Sequence, residues 1–224
     1  MSDIARIKSL LRAIPDFPKK VGGILLLFVP RMSLLTPEFS SLLVSFRVSS
    51  FKTANAYDLT TLSPSSFSIP IDIFPIFQDP LAVETIVTNI VHHILSNGLP
   101  KIDVIVGLDA RGFLLGPWIA NRLGAAFVPV RKAGKLPGET IKVAYEKEYG
   151  TDYFEMHRDA IKTGQNVIVL DDLIATGGSA KAAGELIAKH GGKTVKYIFL
   201  VELSALKGSE KLDAPTYSLV QFED

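Results

Sequence analysis

The chain of 224 residues contains no cysteine, only four histidines and no strong excess of charge of either sign. The absence of cysteine excludes disulfide bonds, thiol nucleophiles and cysteine-ligated zinc. His92 and His93 are adjacent and the other two histidines are isolated, so none has metal-cluster spacing. Lysine and arginine number 24 against 23 acidic residues, and the net charge of +1 predicts neither a nucleic-acid nor a membrane partner. Any anion site must therefore be local.

Long hydrophobic runs are also missing. The longest lies within Ile24–Val29 and is far too short to span a bilayer. Residues 1–20 form an amphipathic, charged stretch without the apolar segment of a signal peptide. We therefore expect a cytoplasmic protein. Hydrophobic residues make up 47% and charged residues 21%, which at this length is typical of one soluble α/β domain.

Helical and strand-like patterns alternate along most of the chain. Apolar spacing predicts helices over 4–14, where Pro15 would stop the helix, and over 80–95, 112–123 and 179–190. Short apolar runs predict strands over 102–108, 126–130, 141–145, 167–170 and 195–203. This alternation predicts an α/β fold with a mostly parallel, twisted sheet flanked by helices. In such sheets, ligands bind beyond the carboxyl ends of the strands.

Residues 21–71 interrupt the alternation. This stretch is rich in serine, leucine and phenylalanine, has few charges and contains Pro30, Pro37, Pro64 and Pro70. It shows neither the helical nor the strand period, so we interpret it as a poorly ordered insertion. The predicted organisation is therefore an N-terminal helical segment (1–20), the insertion (21–71) and an α/β core (72–224).

The strongest functional signal is the run Val167–Ser179. Its apolar residues lead to two adjacent carboxylates, Asp171 and Asp172, and then to the loop residues Ala175, Thr176, Gly177, Gly178 and Ser179. The glycines let backbone N–H groups converge, two hydroxyls add donors, and the helix that follows adds a positive dipole. These features predict a phosphate cradle. The acids can accept hydrogen bonds from vicinal hydroxyls, so the whole run predicts a site for ribose 5-phosphate.

Basic side chains follow two other predicted strands. Arg111 stands between a strand and a helix, where a cation suits pyrophosphate; the alternative is a surface pairing with Asp109. Arg131, Lys132 and Lys135 lie in a glycine-containing loop that could close over an anionic ligand. The alternative for this loop is a solvated connection between two strands.

One glutamate has an aromatic setting. Glu148 lies between Tyr145 and Tyr149, and a carboxyl group shielded by rings can act as an acid near neutral pH. The alternative interpretation is an exposed glutamate at a strand end. Glu146 is the second candidate for the same role.

Four motifs in this order resemble the adenine-specific members of the type I phosphoribosyltransferase family. They are VGLDARGF (106–113), PVRKAGKLPG (129–138), YEKEYG (145–150) and the run 167–179, followed by the similar tail ELSALKG (202–208). The resemblance covers 7–20 and 72 to the C-terminus. It implies the type I phosphoribosyltransferase fold with a small hood that begins within 1–20. It also implies purine salvage, in which adenine and phosphoribosyl pyrophosphate (PRPP) give AMP and pyrophosphate.

The resemblance implies a role for each candidate residue. Asp171 and Asp172 would hold the ribose hydroxyls near the charge of the transition state, and 175–179 would hold the 5-phosphate. Pyrophosphate would bind Arg111, Arg131, Lys132 and Lys135. Glu148 would exchange the proton of the purine N7, and Phe17 and Leu203 would belong to the base pocket. Mg²⁺ would arrive with PRPP, without direct protein ligands, and the chain would form a homodimer.

The chain departs from the family at two places. Asp109 stands where the family usually has glutamate, and the insertion separates Phe17–Lys20 from Asp72, which the family keeps a few residues apart. Ile71 occupies the position of a family arginine. Our hypothesis is that 21–71 is translated non-coding sequence that damages the base pocket and leaves the PRPP half intact. The sequence therefore leaves open an inactive or regulatory PRPP-binding isoform, and also transfer to a 6-oxopurine.

Overall fold

The structure, a computed structural model, describes residues 3–13, 71–147 and 150–223. The described residues divide into two compact units, one formed by 3–10 with 76–223 and the other by 11–13 with 71–75. Within these ranges, no helix combines the length and the hydropathy that a bilayer span requires.

The smaller unit contains a two-stranded antiparallel sheet. Strand β1 (Arg12–Ala13) pairs with β2 (Ile71–Asp72), with Arg12 opposite Asp72 and Ala13 opposite Ile71. The prediction of one helix over 4–14 is therefore wrong at its C-terminal end, because α1 covers Asp3–Leu10 and the chain then enters β1. The partner strand lies far along the chain, so local apolar spacing could not reveal this pairing. Ile14 and Pro15 lie outside the described residues.

A seven-stranded sheet forms the centre of the larger unit. Its strands are β3 (Val104–Leu108), β4 (Ala126–Lys132), β5 (Thr140–Lys147), β6 (Gly150–His157), β7 (Asn166–Ile174), β8 (Lys193–Leu203) and β9 (Thr216–Phe222). The order across the sheet is β5-β6-β4-β3-β7-β8-β9. From β4 to β9 the neighbours are parallel, whereas β5 and β6 form an antiparallel ribbon at one edge. The predicted mostly parallel α/β fold is confirmed.

Helices α2 (Pro80–Ser96), α3 (Gly112–Leu123) and α4 (Gly178–Lys189) lie close to their predicted positions. Asp79 caps the start of α2, because its carboxylate accepts hydrogen bonds from the N–H groups of Leu81 and Ala82. Pro80, at the first helical position, has no N–H group that would require an acceptor. α4 contributes Ala183, Leu186 and Ile187 to the main hydrophobic core. β3 is buried at every position, which agrees with a sheet covered on both faces.

Three strand assignments differ from the sequence prediction. β6 and β9 were not predicted, because their charged and polar residues obscure the apolar pattern. β7 continues beyond its predicted end at Leu170, since Asp171, Leu173 and Ile174 remain paired with β8. The two acids therefore belong to the strand itself, and the loop begins only at Ala175.

Candidate functional site

Two neighbouring parallel strands bring the predicted site together. β3 and β7 are in register, with Gly107 opposite Leu170, so the residues that follow them emerge at the same edge of the sheet. A cavity of about 270 Å³ lies at this edge. It is lined by Asp109, Ala110, Arg111, residues 171–180 and Phe199.

The cavity lining contains eight of the residues predicted for PRPP. They are Arg111, Asp171, Asp172, Ala175, Thr176, Gly177, Gly178 and Ser179. Their individual roles remain predictions. Asp109, Leu173, Ile174 and Phe199 also line the cavity, and sequence reasoning gave none of them a role there.

The loop between β7 and α4 has the geometry of an anion site. Gly177 precedes α4 and adopts the left-handed conformation with φ 80°, which favours glycine. No described side chain caps this helix. The N–H groups of its first turn, whose residues line the cavity, therefore have no side-chain acceptor. Together with the hydroxyls of Thr176 and Ser179, they can hold the oxygens of a phosphate monoester.

The segment Gly208–Lys211 packs against this loop. A Cβ atom on Gly177 would collide with the carbonyl oxygen of Gly208, and one on Gly208 would collide with the carbonyl oxygen of Ala175. Lys211 adds a hydrogen bond of 2.9 Å from its Nζ to the carbonyl oxygen of Thr176. The short 3-10 helix Gly208–Lys211 thus fixes the phosphate loop. Residues 202–208 were predicted to matter only through the family resemblance, and no local pattern identifies Lys211.

The two acids form one electrostatic unit with a cation. Nη1 of Arg111 lies 3.0 Å from Oδ2 of Asp172, whose side chain is only 5% exposed. Oδ1 of Asp171 accepts a hydrogen bond of 2.9 Å from the backbone N–H of Asp172. The alternative pairing of Arg111 with Asp109 is therefore not adopted.

Both carboxyl groups bind protons more tightly than ordinary aspartates. Burial raises the pKa of Asp171 well above its usual range, and the neighbouring charge of Asp172 raises it further. Burial also raises the pKa of Asp172, and the Arg111 guanidinium partly offsets that rise. Hydroxyl donors or a cation placed in the cavity would favour the ionised form of both groups.

Asp109, which lines the cavity, contacts the basic residues at the end of β4. Oδ2 of Asp109 accepts hydrogen bonds from Nε of Arg131 at 3.3 Å and from the backbone N–H of Lys132 at 3.4 Å. Arg131, Lys132 and Lys135 are not themselves part of the lining formed by the described residues. The backbone N–H of Lys135 instead donates to the buried carboxylate of Glu155, which sequence reasoning missed. Its signal was a lone acid between the apolar residues Phe154 and Met156.

The remaining predicted residues are not brought to this cavity by the described structure. Leu203 ends β8, is half-buried and pairs with Phe222. Phe17 and Glu148 lie outside the described residues. Their roles in base binding and proton transfer therefore stay predictions.

The site also offers ligand atoms of the kind that Mg²⁺ prefers. In the ranges 3–13, 71–147 and 150–223, no group of three or more histidine, cysteine or acidic side chains could hold a metal ion by itself. Asp171 and Asp172 nevertheless place carboxylate oxygens at the cavity. Mg²⁺ commonly binds one or two carboxylates together with the phosphates of a substrate. The residues therefore fit an ion that is shared with a phosphorylated ligand.

Sequence comparison identifies relatives of this chain. The family model for the phosphoribosyl transferase domain matches residues 77–223. The adenine phosphoribosyltransferase of Yarrowia lipolytica is 54% identical over 162 residues, which are 72% of this chain and 89% of that protein.

Two solved structures have folds similar to that of this chain. Adenine phosphoribosyltransferase from Saccharomyces cerevisiae, complexed with adenine and an imino-altritol bisphosphate, is 38% identical, with coverage of 97% of this chain and 98% of that chain and a TM-score of 0.73. Adenine phosphoribosyl transferase from Trypanosoma brucei, in complex with AMP, pyrophosphate and ribose-5-phosphate, is 31% identical, with coverage of 71% and 72% and a TM-score of 0.64.

Proposed function

The chain belongs to the adenine phosphoribosyltransferase family, and from this premise we propose how its residues carry the reaction. It is a pentosyltransferase that converts adenine and PRPP to AMP and pyrophosphate in purine salvage. The observation that carries this function is the cavity at the ends of β3 and β7, where a phosphate loop adjoins an acid pair.

The ribose 5-phosphate end of PRPP occupies this cavity in our proposal. Residues 175–179 bind the 5-phosphate through backbone N–H groups and two hydroxyls, at the N-terminus of α4. Asp171 and Asp172 accept hydrogen bonds from the two ribose hydroxyls. These bonds favour the ionised carboxylates, and their negative charge then stabilises the positive charge that develops on the sugar.

Pyrophosphate is bound on the other side of the acid pair. Arg111 lines the cavity, and its pairing with Asp172 orients the guanidinium group. Arg131 and Lys132 at the end of β4, with Lys135 in the loop that follows it, complete the pyrophosphate site. Support comes from the contacts of Arg131 and Lys132 with Asp109 at the cavity.

No protein nucleophile takes part in the proposed mechanism. A nitrogen of adenine forms a bond to the anomeric carbon while the bond from that carbon to the pyrophosphate oxygen breaks, and the electron pair leaves with pyrophosphate. The protein contributes by aligning the two substrates and by neutralising the leaving group. Adenine reacts through N9 in the tautomer that carries its imidazole proton on N7, and Glu148 accepts that proton as the new bond forms. Phe17 and Leu203 contact the base.

Magnesium enters with PRPP in our proposal. The support is the pair of carboxylates beside the cavity, since Mg²⁺ is usually shared between a carboxylate and substrate phosphates. When bound, the ion would neutralise part of the pyrophosphate charge. Asp171 and Asp172 are the residues that would hold it, through bound water rather than as direct ligands.

We also propose that the chain forms a homodimer in the cytoplasm. Leu81, Leu95 and Trp118 expose large apolar side chains on α2 and α3, which supports an interface with a second copy. A cytoplasmic location is supported by the chemistry, because a phosphorylated substrate and product do not cross a membrane unaided. Sedimentation of the purified protein would test the dimer.

Purified protein supplied with PRPP, magnesium and one base at a time tests the function. Adenine, hypoxanthine, guanine and xanthine are each offered, and nucleotide and pyrophosphate are measured. We expect AMP and an equal amount of pyrophosphate with adenine. Preferred turnover of a 6-oxopurine would contradict the base assignment. Binding of PRPP without any product would identify this form as the inactive alternative.

A further inference from the structure

A buried acid lies beside the basic loop and has no part in the mechanism above. Glu155 is in the middle of β6 and is 1% exposed. A carboxylate in such a place is strongly destabilising unless hydrogen bonds and opposite charges compensate its loss of water. Its partners therefore indicate what it does.

The partners of Glu155 belong mainly to the loop that carries Lys135. Oε1 accepts hydrogen bonds of 2.8 Å from the backbone N–H groups of both Lys135 and Leu136. Oε2 accepts a hydrogen bond of 3.2 Å from the hydroxyl of Thr140, where the loop ends. The carboxylate thus binds two adjacent backbone N–H groups of the loop and the side-chain hydroxyl at the end of the loop.

These donors keep the group ionised. Burial by itself would raise the pKa of Glu155, but the N–H groups of Leu136, Gly134 and Lys135 and the Thr140 hydroxyl outweigh it and hold the pKa below its usual range. Nζ of Lys142 lies 3.7 Å from Oε2.

The strand register places Glu155 beside Arg131, one of the pyrophosphate candidates. Arg131 of β4 and Lys142 of β5 are its partners on the two neighbouring strands, so all three side chains share one face of the sheet. His157 shares that face of β6 and makes a 2.9 Å hydrogen bond through Nε2 to the carbonyl oxygen of Pro137. β6 therefore holds the loop through two side chains, those of Glu155 and His157.

We propose that Glu155 is a positioning residue that fixes the loop backbone so that its cations face pyrophosphate. The inference rests on the proposed pyrophosphate role of Arg131, Lys132 and Lys135. Without the carboxylate, two adjacent N–H groups lose their acceptor and the loop can adopt other conformations. The affinity for ligands that contain pyrophosphate then falls, while the 5-phosphate loop after β7 is unaffected.

The test compares ligands with and without the pyrophosphate group. Calorimetry measures the dissociation constants of pyrophosphate, PRPP and AMP for Glu155→Ala, Glu155→Gln and the unaltered protein. Glu139→Ala is the matched control, because it also removes a carboxylate from this loop. The side chain of Glu139 is 80% exposed and pairs with Arg158. Lys135→Ala tests the underlying pyrophosphate assignment separately.

We expect Glu155→Ala to weaken pyrophosphate and PRPP binding by about tenfold to a hundredfold, the range for losing hydrogen bonds to a charged group. AMP binding should stay unchanged. Glu155→Gln should recover most of the affinity, because its amide oxygen can still accept both N–H groups. Glu139→Ala should bind all three ligands as the unaltered protein does.

An equal loss of AMP affinity in Glu155→Ala, or unchanged pyrophosphate affinity, would overturn the inference and leave Glu155 as a residue that only stabilises the fold. If the alanine variant does not fold, Glu155→Asp replaces it, since the shorter side chain withdraws the oxygens and keeps the charge; unchanged pyrophosphate affinity there also overturns the inference. Unaltered pyrophosphate binding in Lys135→Ala would instead reject the role of Lys135 in the proposed function.

Discussion

Ala13 and Ile71 lie opposite each other in an antiparallel strand pair, although residues 14–70 separate them in the chain. The two flanks of the unusual stretch are thus joined by backbone hydrogen bonds, whatever lies between them. Closing a longer loop adds an entropic cost that grows only with the logarithm of its length. The stretch can therefore be accommodated without separating the segments on either side of it.

The first prediction concerns that stretch. Replacing residues 21–71 by the five residues Gly-Ile-Val-Phe-Arg should retain or raise turnover of adenine, because the pairing of β1 with β2 depends on the backbone. Removal of a leucine- and phenylalanine-rich segment with few charges should also reduce aggregation. Steady-state rates and light scattering of both forms check this. A shortened protein that is inactive or insoluble, beside an active full-length form, would make 21–71 a true structural element.

A second prediction concerns the acid pair and PRPP. The double substitution of Asp171→Asn and Asp172→Asn should abolish measurable PRPP binding, since the ribose hydroxyls lose their charged acceptors and Arg111 loses its partner. Isothermal calorimetry with magnesium present gives the affinity. Asp159→Asn, at an exposed position away from the lining, is the control. PRPP affinity that survives the double substitution would reject the ribose assignment.

The same pair makes stability depend on pH. A carboxyl group with a raised pKa in the folded state stabilises the fold fully below the ordinary aspartate pKa, and this contribution is lost as pH rises through the raised value. Once the pH exceeds the raised value, the ionised Asp171 destabilises the fold, and there Asp171→Asn should raise the melting temperature, with a gain within about 0.5–2 kcal/mol. Scanning calorimetry should show the difference shrinking as pH is lowered. A melting-temperature difference between the two proteins that does not increase as the pH is raised would contradict this.

The support behind the phosphate loop gives a fourth prediction. Gly208→Ala should weaken AMP and PRPP binding alike, because the new methyl group would displace the carbonyl oxygen of Ala175. Overpacking of this kind costs about 1–3 kcal/mol, which corresponds to roughly tenfold or more in affinity. Gly98→Ala is the control, since a Cβ there meets nothing within 4 Å; its φ of 63° strains an alanine, so the control should lose stability without losing affinity for either ligand. Equal affinities for Gly208→Ala and the unaltered protein would show that the loop does not need this contact.

The last prediction concerns proton transfer. Glu148→Gln should lower turnover by about 10²–10⁴-fold, the usual effect of losing a general acid or base, while PRPP affinity is largely kept. Rapid-quench measurement of AMP formation separates this step from product release. Glu146→Gln is the matched comparison. A loss confined to Glu146→Gln would show that the other carboxylate acts on the base.

The ribose-phosphate half could be predicted because its parts are consecutive in the chain. A strand, two acids, a glycine turn and a helix start follow one another within Val167–Ser179, and each leaves a local signal. Lys211 left no such signal, and Glu155 left only that of a lone acid between two apolar residues. They act on Thr176 and on Lys135, respectively, through contacts between distant parts of the chain.

The C-terminal end of α1 shows the same limit of prediction from local sequence. Leu11 and the apolar residues before it fit a helical period, yet the chain turns into a strand at Arg12 because its partner is Asp72. Periodicity reports which face of a helix would be buried; it does not report whether a remote strand competes for the same backbone groups. The existence of each helix was therefore easier to predict than its end.

The position of the antiparallel ribbon at the edge of the sheet has an evolutionary consequence. β7, with the loop for the 5-phosphate, has a parallel neighbour on each side, so most substitutions there disturb the core. β5 has a neighbour on one side only, and the basic loop lies between it and β4. Proteins descended from this fold could therefore change the residues that contact the leaving group and the acceptor through substitutions in the β5–β6 ribbon. Selection would meanwhile keep the ribose 5-phosphate site after β7 nearly constant.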